Sequence, residues 1–321
     1  MEKILLGTYT RKTSEGIYQI TLNKDKEVLE NLELIAKAEN PTYLEYDKDT
    51  QTLYSVYQEG QQGGIGVYNL KNTQAKLEHF IAQEGASPCY VHYDSKRDEI
   101  TDANYHKGTI NVYKNGEIIE TFQYPKGAHA HFVHTHPKTG ALYTVDLGND
   151  TVHKYIDLKR VSTFTTDPGM GPRHLVFHPT APYLYVFTEL SNDLIVLKDG
   201  ETLQHIQTLN ALKDDEGKGA GAAIRISKDG KFIYVSNRGH DSITVYAVHE
   251  DFTVTLIQNI STHGEHPRDF NLSLDEDYVV VANRDTNNLV LFRRDTETGY
   301  LTYLNADTHA PEVVNVVFIE E

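Results

Sequence analysis

The chain has a single cysteine, Cys89, in 321 residues. It can form no disulfide within itself, and a reducing compartment is expected. Positive charge is scarce: 30 Lys and Arg against 46 Asp and Glu leave a formal net charge of −16. A nucleic-acid binder presents a basic face, so that partner class is not expected. Long apolar runs are missing too. No stretch approaches the roughly 18 apolar residues of a membrane helix. The opening MEKILLGTYT has too short an apolar run for a signal peptide. These absences predict a soluble, cytoplasmic protein with no membrane partner. Hydrophobic residues make up only 39% of the chain, with 21 tyrosines, which suits many thin sheets packed face to face better than one large helical core.

What is present is a repeated β unit. Ile224 to Tyr246, IRISKDGKFIYVSNRGHDSITVY, reads as strand, turn, strand, turn, strand. β-Branched and aromatic residues recur at period two, broken by Gly and Asp, which favours pleated strands over helix. The unit recurs from anchors at Pro41, Pro88, Ala130, Pro172, Gly221, Pro267 and Pro311, with spacings of 47, 42, 42, 49, 46 and 44 residues. Repeats of this length announce propellers or solenoids. Second strands follow (ILLGTY, LYSVYQ, EITDANY, LYTVDLG, LYVFTEL, IYVSNRG, VVVANRD), then third strands and weaker fourth strands. The expected fold is all-β: a seven-bladed β-propeller of four-stranded antiparallel blades, about 28 strands, forming one domain over residues 1–321. The chain begins on a second strand and ends on a first. The ring therefore closes only if Glu312 to Phe318 pairs with Ile4 to Tyr9, which also hides two open sheet edges. The charged, Gly-rich Ala211 to Gly221 is expected to be a surface loop near one channel mouth.

In a blade the first strand lies nearest the axis and the second returns antiparallel beside it. The start of strand one and the end of strand two therefore share one mouth of the central channel. Residues just after the anchors are Thr42, Cys89, His131, Arg173, Ala222, Arg268 and Glu312. Second strands end in the pairs Thr8/Tyr9, Tyr57/Gln58, Asn104/Tyr105, Asp146/Leu147, Thr188/Glu189, Asn237/Arg238 and Asn283/Arg284. One mouth of an acidic protein thus collects Arg173, Arg238, Arg268 and Arg284, with His131 and Glu189. Arginine binds carboxylate and phosphate oxygens bidentately, so this is a candidate site for an anion. Arg268 stands next to Asp269 and Arg284 next to Asp285, so either is equally open to a structural ion pair. Asn237, Asn283 and Asp146 suit tight-turn caps as well as they suit substrate contacts.

GAHAHFVHTHP holds His129, His131, His134 and His136, and H-x-H can bind a metal. Strand alternation sends His134 and His136 away from His131, so no metal is expected. His131 is the candidate general base, with His129 beside it. Cys89 falls on the axial ring without a dedicated base and reads as a small buried residue. A calcium site would draw on Asp146, Asn237 and Asn283, but arginines alongside would repel the cation. No ligand set for copper or a quinone converges either.

The motifs GAHAH, GPRHLVFHP, YLYVFTEL, YVSNRGHDSITVY, GEHPRDF and VANRDTNNLVLF resemble the seven-bladed propeller lactonase family, which includes propeller-type 6-phosphogluconolactonases and carboxymuconate-cyclising enzymes. The resemblance spans essentially the whole chain. It implies a metal-independent site without a cofactor at one channel mouth, built by His131, Arg173, Glu189 and Arg238. Many members carry Ala-Glu-Ile where this chain has Ala222-Ala223-Ile224, a departure that bears on substrate identity.

The function expected is hydrolysis of a sugar lactone, foremost 6-phosphogluconolactone. His131 or Glu189 would take the proton from water, and Arg173 or Arg238 would stabilise the oxyanion. His129, Arg268, Arg284, Asn237 and Asn283 are the candidate substrate contacts. Two alternatives stay open. One is a cyclising lyase or isomerase acting on a carboxylated muconate. The other is a non-enzymatic scaffold, which leaves the arginine ring unexplained. A monomer or weak homodimer is expected.

Overall fold

The computed structural model describes residues 1–71, 74–212 and 219–320. These form seven antiparallel sheets arranged as the blades of a propeller. The innermost strands are Val313–Ile319 (blade 1), Leu44–Asp47 (blade 2), Tyr90–Asp94 (blade 3), Ala130–Thr135 (blade 4), Pro172–Phe177 (blade 5), Ala220–Ile226 (blade 6) and Pro267–Leu272 (blade 7). In each blade three further strands follow outward. The fourth strand of blade 7 is split into Leu301–Tyr303 and Thr308–His309, with Asn305 between them in a left-handed conformation at φ 51°. That split is why the strands among the described residues number 29. Part of the expected Ala211–Gly221 loop, residues 213–218, lies outside the described residues.

Blade 1 closes the ring as the repeat register requires. Val313–Ile319 pairs antiparallel with Glu2–Thr8, from Lys3 opposite Ile319 to Thr8 opposite Val313. Each terminal strand thereby satisfies the backbone groups of the other and removes two open edges.

The blades pack through aromatic and β-branched faces. Tyr113, Tyr143, Tyr185, Tyr234, Phe187, Phe270 and Phe292 are among the largest fully buried side chains. Buried tyrosines bring a polar tip that needs a partner. Tyr143 donates to Asp199 at 2.5 Å and Tyr234 to the Gly299 carbonyl at 2.9 Å. No helix among the described residues is long and apolar enough to cross a membrane.

One irregularity of the inner strands governs the site. Pairing between first and second strands slips at the same place in blades 4, 5 and 7, skipping His131, Arg173 and Arg268. Blade 6 slips across Ala222 and Ala223. An extra residue in one strand is a β-bulge, which breaks alternation and re-aims a side chain. Here the bulged residues His131, Arg173 and Arg268 all reach the channel. In blade 1 the slip skips Val314, because Val313 opposes Thr8 and Asn315 opposes Gly7. The axial residue of that blade is therefore Val314, and the expectation for Glu312 was two residues out of register. Glu312 instead precedes the strand. Its carboxylate accepts the backbone N–H groups of Arg11, Lys12, Thr13 and Ser14 at 2.8–3.1 Å.

Candidate active site

At the mouth bounded by the first-strand starts lies a cavity of about 440 Å³. Two rings of side chains build its wall. The lower ring is supplied by His131 and Arg268 on first strands and by Thr42 and Cys89 just before them. The upper ring comes from the second member of five of the seven pairs named at the second-strand ends: Tyr9, Gln58, Tyr105, Glu189 and Arg238. The first member of each pair faces the other way, as alternation requires, and ties its own hairpin. Thr8 donates to the Gly16 carbonyl at 2.6 Å. Asn104 accepts from Lys107 N–H at 3.0 Å, and Thr188 from Asp193 N–H at 2.7 Å.

Glu189 stands between two blades. Its Oε2 accepts from Arg173 Nε at 2.9 Å and lies 2.9 Å from Arg238 Nη2. Arg173 also donates to the Ala222 carbonyl at 2.7 Å, and Arg238 Nε to the Ala220 carbonyl at 3.3 Å. This arrangement needs blades 5 and 6 to approach closely. A Cβ at Gly221 would sit 2.0 Å from the Thr188 carbonyl oxygen, so only glycine admits the contact. Arg173 lies one layer deeper than Arg238, on a narrow floor with Thr42, Cys89, His131 and Arg268. Below it Tyr43, Tyr90, Phe132 and His174 pack against one another, with ring centroids 4.1–6.2 Å apart.

The charges do not balance. Arg173 and Arg238 share one carboxylate, Glu189, and Arg268 stands beside them with no carboxylate partner among the described residues. Burial and the other arginines push Arg173 down to about 9. Arg238 is depressed by burial and by Arg268, with Glu189 opposing. Burial would raise the Glu189 carboxyl, but Arg173 and Arg238 hold it below its ordinary range. The two directions agree, because an excess of positive charge favours the carboxylate and disfavours each guanidinium. Burial, then Arg173, Arg268 and Arg238, hold His131 well below the ordinary histidine value. It is therefore a neutral imidazole at neutral pH, and its buried Nδ1 has no hydrogen-bond partner among the described residues.

The remaining candidates separate clearly. Arg268 does not pair with Asp269, which is taken by Arg225 at 2.7 Å and by Asn315 at 2.7 Å. Arg268 lies instead over the Tyr9 ring. Arg284 pairs with Asp285 at 2.7 Å and is not on the cavity wall. His129 stands behind the wall, stacked on Tyr105 at 4.1 Å and donating from Nδ1 to the Tyr105 carbonyl at 3.0 Å. Asn237 is buried and bonds Ser242 and Thr244. Asn283 is buried and donates to the Thr262 carbonyl. Asp146 caps the backbone N–H groups of His129, Gly148 and Asn149. Burial pushes the Cys89 thiol up to about 12, which leaves it protonated and unreactive.

His134 lines a second cavity of about 420 Å³ farther along the first strands. His136 accepts the Lys138 and Thr139 N–H groups of a turn. The four histidines of GAHAHFVHTHP do not converge, and no cluster of three or more His, Cys, Asp or Glu suited to a metal occurs among the described residues. Ala223 sits in the core between blades 6 and 7, so the departure from the Ala-Glu-Ile pattern does not face this cavity.

Tyr9, Gln58 and Tyr105 belonged to the predicted ring without being singled out. Arg11 was missed because it lies on the loop after a second strand, where the repeat gives no parity to read.

A family model described as lactonase, 7-bladed beta-propeller, matches residues 3–318. The chain belongs to the seven-bladed β-propeller lactonase family. A 6-phosphogluconolactonase of Bacillus subtilis (strain 168) is similar to this lactonase, 37% identical over 98% of each chain. Among solved structures, a protein from Lactobacillus plantarum matches it with a TM-score of 0.96 at 39% identity, covering 99% of each chain. A periplasmic gluconolactonase of Pseudomonas aeruginosa matches with a TM-score of 0.88 at 25% identity, also over 99% of each chain.

Proposed function

We propose that this lactonase hydrolyses 6-phospho-D-glucono-1,5-lactone to 6-phosphogluconate by water attack without a metal. The observation that carries the reading is the uncompensated positive charge: Arg11, Arg238 and Arg268 on the cavity wall and Arg173 on its floor face one wall carboxylate, Glu189, in a protein of net charge −16, the floor's Asp269 being taken by Arg225. Such a cavity favours an anion and disfavours a cation. The activity named for the B. subtilis relative agrees with it.

Neutral His131 takes the proton as water attacks the lactone carbonyl. An anionic substrate offsets the three arginines, which brings His131 back toward the range of an effective base. Arg238 on the wall and Arg173 at the floor stabilise the tetrahedral oxyanion. The ring C–O bond then breaks, and the imidazolium returns its proton to the leaving ring oxygen. The product acid loses a proton to solvent. Ionised Glu189 orients the two arginines.

The test is pH-stat hydrolysis of 6-phosphogluconolactone with EDTA present, corrected for spontaneous opening, for the wild type and His131→Ala. Activity that survives EDTA and falls at least about a hundredfold in the variant is the expected result. Activity abolished by EDTA overturns the metal-free mechanism. No rate above background overturns the substrate.

A further inference from the structure

The cavity carries a second group of cations that the lactone-opening chemistry does not use. Arg268 and Arg11 both line it. Their guanidiniums lie over the ring of the same residue, Tyr9, at 5.6 and 4.1 Å from its centroid. Their separation is therefore bounded by the sum of those two distances. Among the described residues neither guanidinium has a carboxylate partner, whereas Arg173 and Arg238 share Glu189 and Arg284 has Asp285.

The presentation of Arg11 is built. Arg11 is exposed, and an exposed arginine on a seven-residue loop would ordinarily sweep many rotamers. Here the loop backbone is latched. One Glu312 carboxylate accepts four consecutive N–H groups, Arg11 to Ser14. Asn40 and Thr10 exchange two further hydrogen bonds across it, at 3.1 and 3.2 Å. Stacking on Tyr9 then orients the planar guanidinium, as cation–π contacts do. The loop holds Arg11 at the cavity rim, on the Arg268 side.

We infer that Arg11 and Arg268, gathered over Tyr9, form a subsite for the dianionic phosphate monoester of a phosphorylated lactone. The inference rests on the proposed lactone hydrolysis and names which end of the substrate is read. Two unneutralised guanidiniums match a phosphate monoester, which carries nearly two negative charges at neutral pH. A single carboxylate would leave one cation unbalanced. Arginine offers paired donors to phosphate oxygens. In this reading Arg11, not Arg284, is the second phosphate ligand.

The experiment compares glucono-1,5-lactone with its 6-phosphate for the wild type, Arg11→Ala, Arg11→Lys and Arg268→Ala. The quantity read is the ratio of kcat/KM for the phosphorylated over the plain lactone. In Arg11→Ala this ratio falls about tenfold or more, with the loss in KM for the phosphorylated substrate, and Arg11→Lys recovers part of it. Arg268→Ala lowers the same ratio. A ratio unchanged in Arg11→Ala overturns the subsite even where both lactones are hydrolysed. If the wild type opens neither lactone, the proposed function fails, and calorimetry with 6-phosphogluconate and gluconate still decides the subsite. A preference for the phosphorylated acid that Arg11→Ala removes supports it; equal affinities overturn it.

Discussion

Replacing Arg173 by methionine should make the protein more stable and nearly inactive. Arg173 is only 3% exposed, and its guanidinium is pushed from 12.5 down to about 9 by burial and by Arg238 and Arg268. That depression corresponds to roughly 5 kcal/mol of penalty for keeping the charge in the folded protein. Methionine removes the charge and keeps most of the length. Against this gain, the Ala222 carbonyl loses its 2.7 Å donor, at about 1–3 kcal/mol. Glu189 loses one guanidinium but keeps Arg238 at 2.9 Å. The net expectation is a gain of about 2–4 kcal/mol, read as a higher midpoint of thermal unfolding at pH 7.5. The rate should fall about a hundred- to a thousandfold, the cost of losing one preorganised oxyanion donor. Such a trade between stability and activity is what a like-charged catalytic cluster implies. A variant that is less stable than the wild type would show that Arg173 is a structural ion-pair partner. A variant that retains full kcat/KM would remove it from the chemistry. Either result refutes the argument.

Further tests follow from the same electrostatics. Glu189→Gln leaves the arginines without their carboxylate. It should lose about 2–4 kcal/mol of stability and about a hundredfold or more in kcat, while binding inorganic phosphate more tightly; weaker phosphate binding would contradict the charge count. The acid limb of kcat/KM should lie below pH 6.5, because folding depresses the His131 pKa. By the same sign, the stability from neutral His131 is full above about pH 6.5 and is lost as pH falls toward the folded value. A limb centred above 6.5 would rule out His131 as the base. Asp102 behaves oppositely: burial raises it from 3.8 to about 6, a penalty at pH 7 of about 3 kcal/mol that is relieved as pH falls from about 6 to 3.8. Asp102→Asn should therefore gain stability relative to the wild type at pH 7.5 compared with pH 4.5, followed by thermal unfolding; no change in that difference with pH would count against a raised Asp102.

The sequence by itself determined the architecture. Period-two hydrophobicity with Gly and Asp turns, repeated seven times, leaves pleated strands as the one local solution, and the seven-fold repeat stacks them as blades. It also determined which side chains gather at one mouth, because the start of strand one and the end of strand two are neighbours in every blade. His131, Arg173, Glu189, Arg238 and Arg268 were legible for that reason. Tertiary structure decided the rest. The bulges that re-aim His131, Arg173 and Arg268 insert a residue without a composition signal, and the same slip makes Val314 axial in place of Glu312. Adjacency in sequence could not decide ion pairing: Asp269 is taken by Arg225 from the neighbouring blade, which leaves Arg268 to the cavity, whereas Arg284 does pair with Asp285. Asn237 and Asn283 are buried, and their amides are spent on structure: Asn237 donates to Ser242 and Thr244 of its own hairpin, and Asn283 to the Thr262 carbonyl of the preceding connection. Arg11 stands at the cavity rim on a loop latched by Glu312, some 300 residues away in the chain.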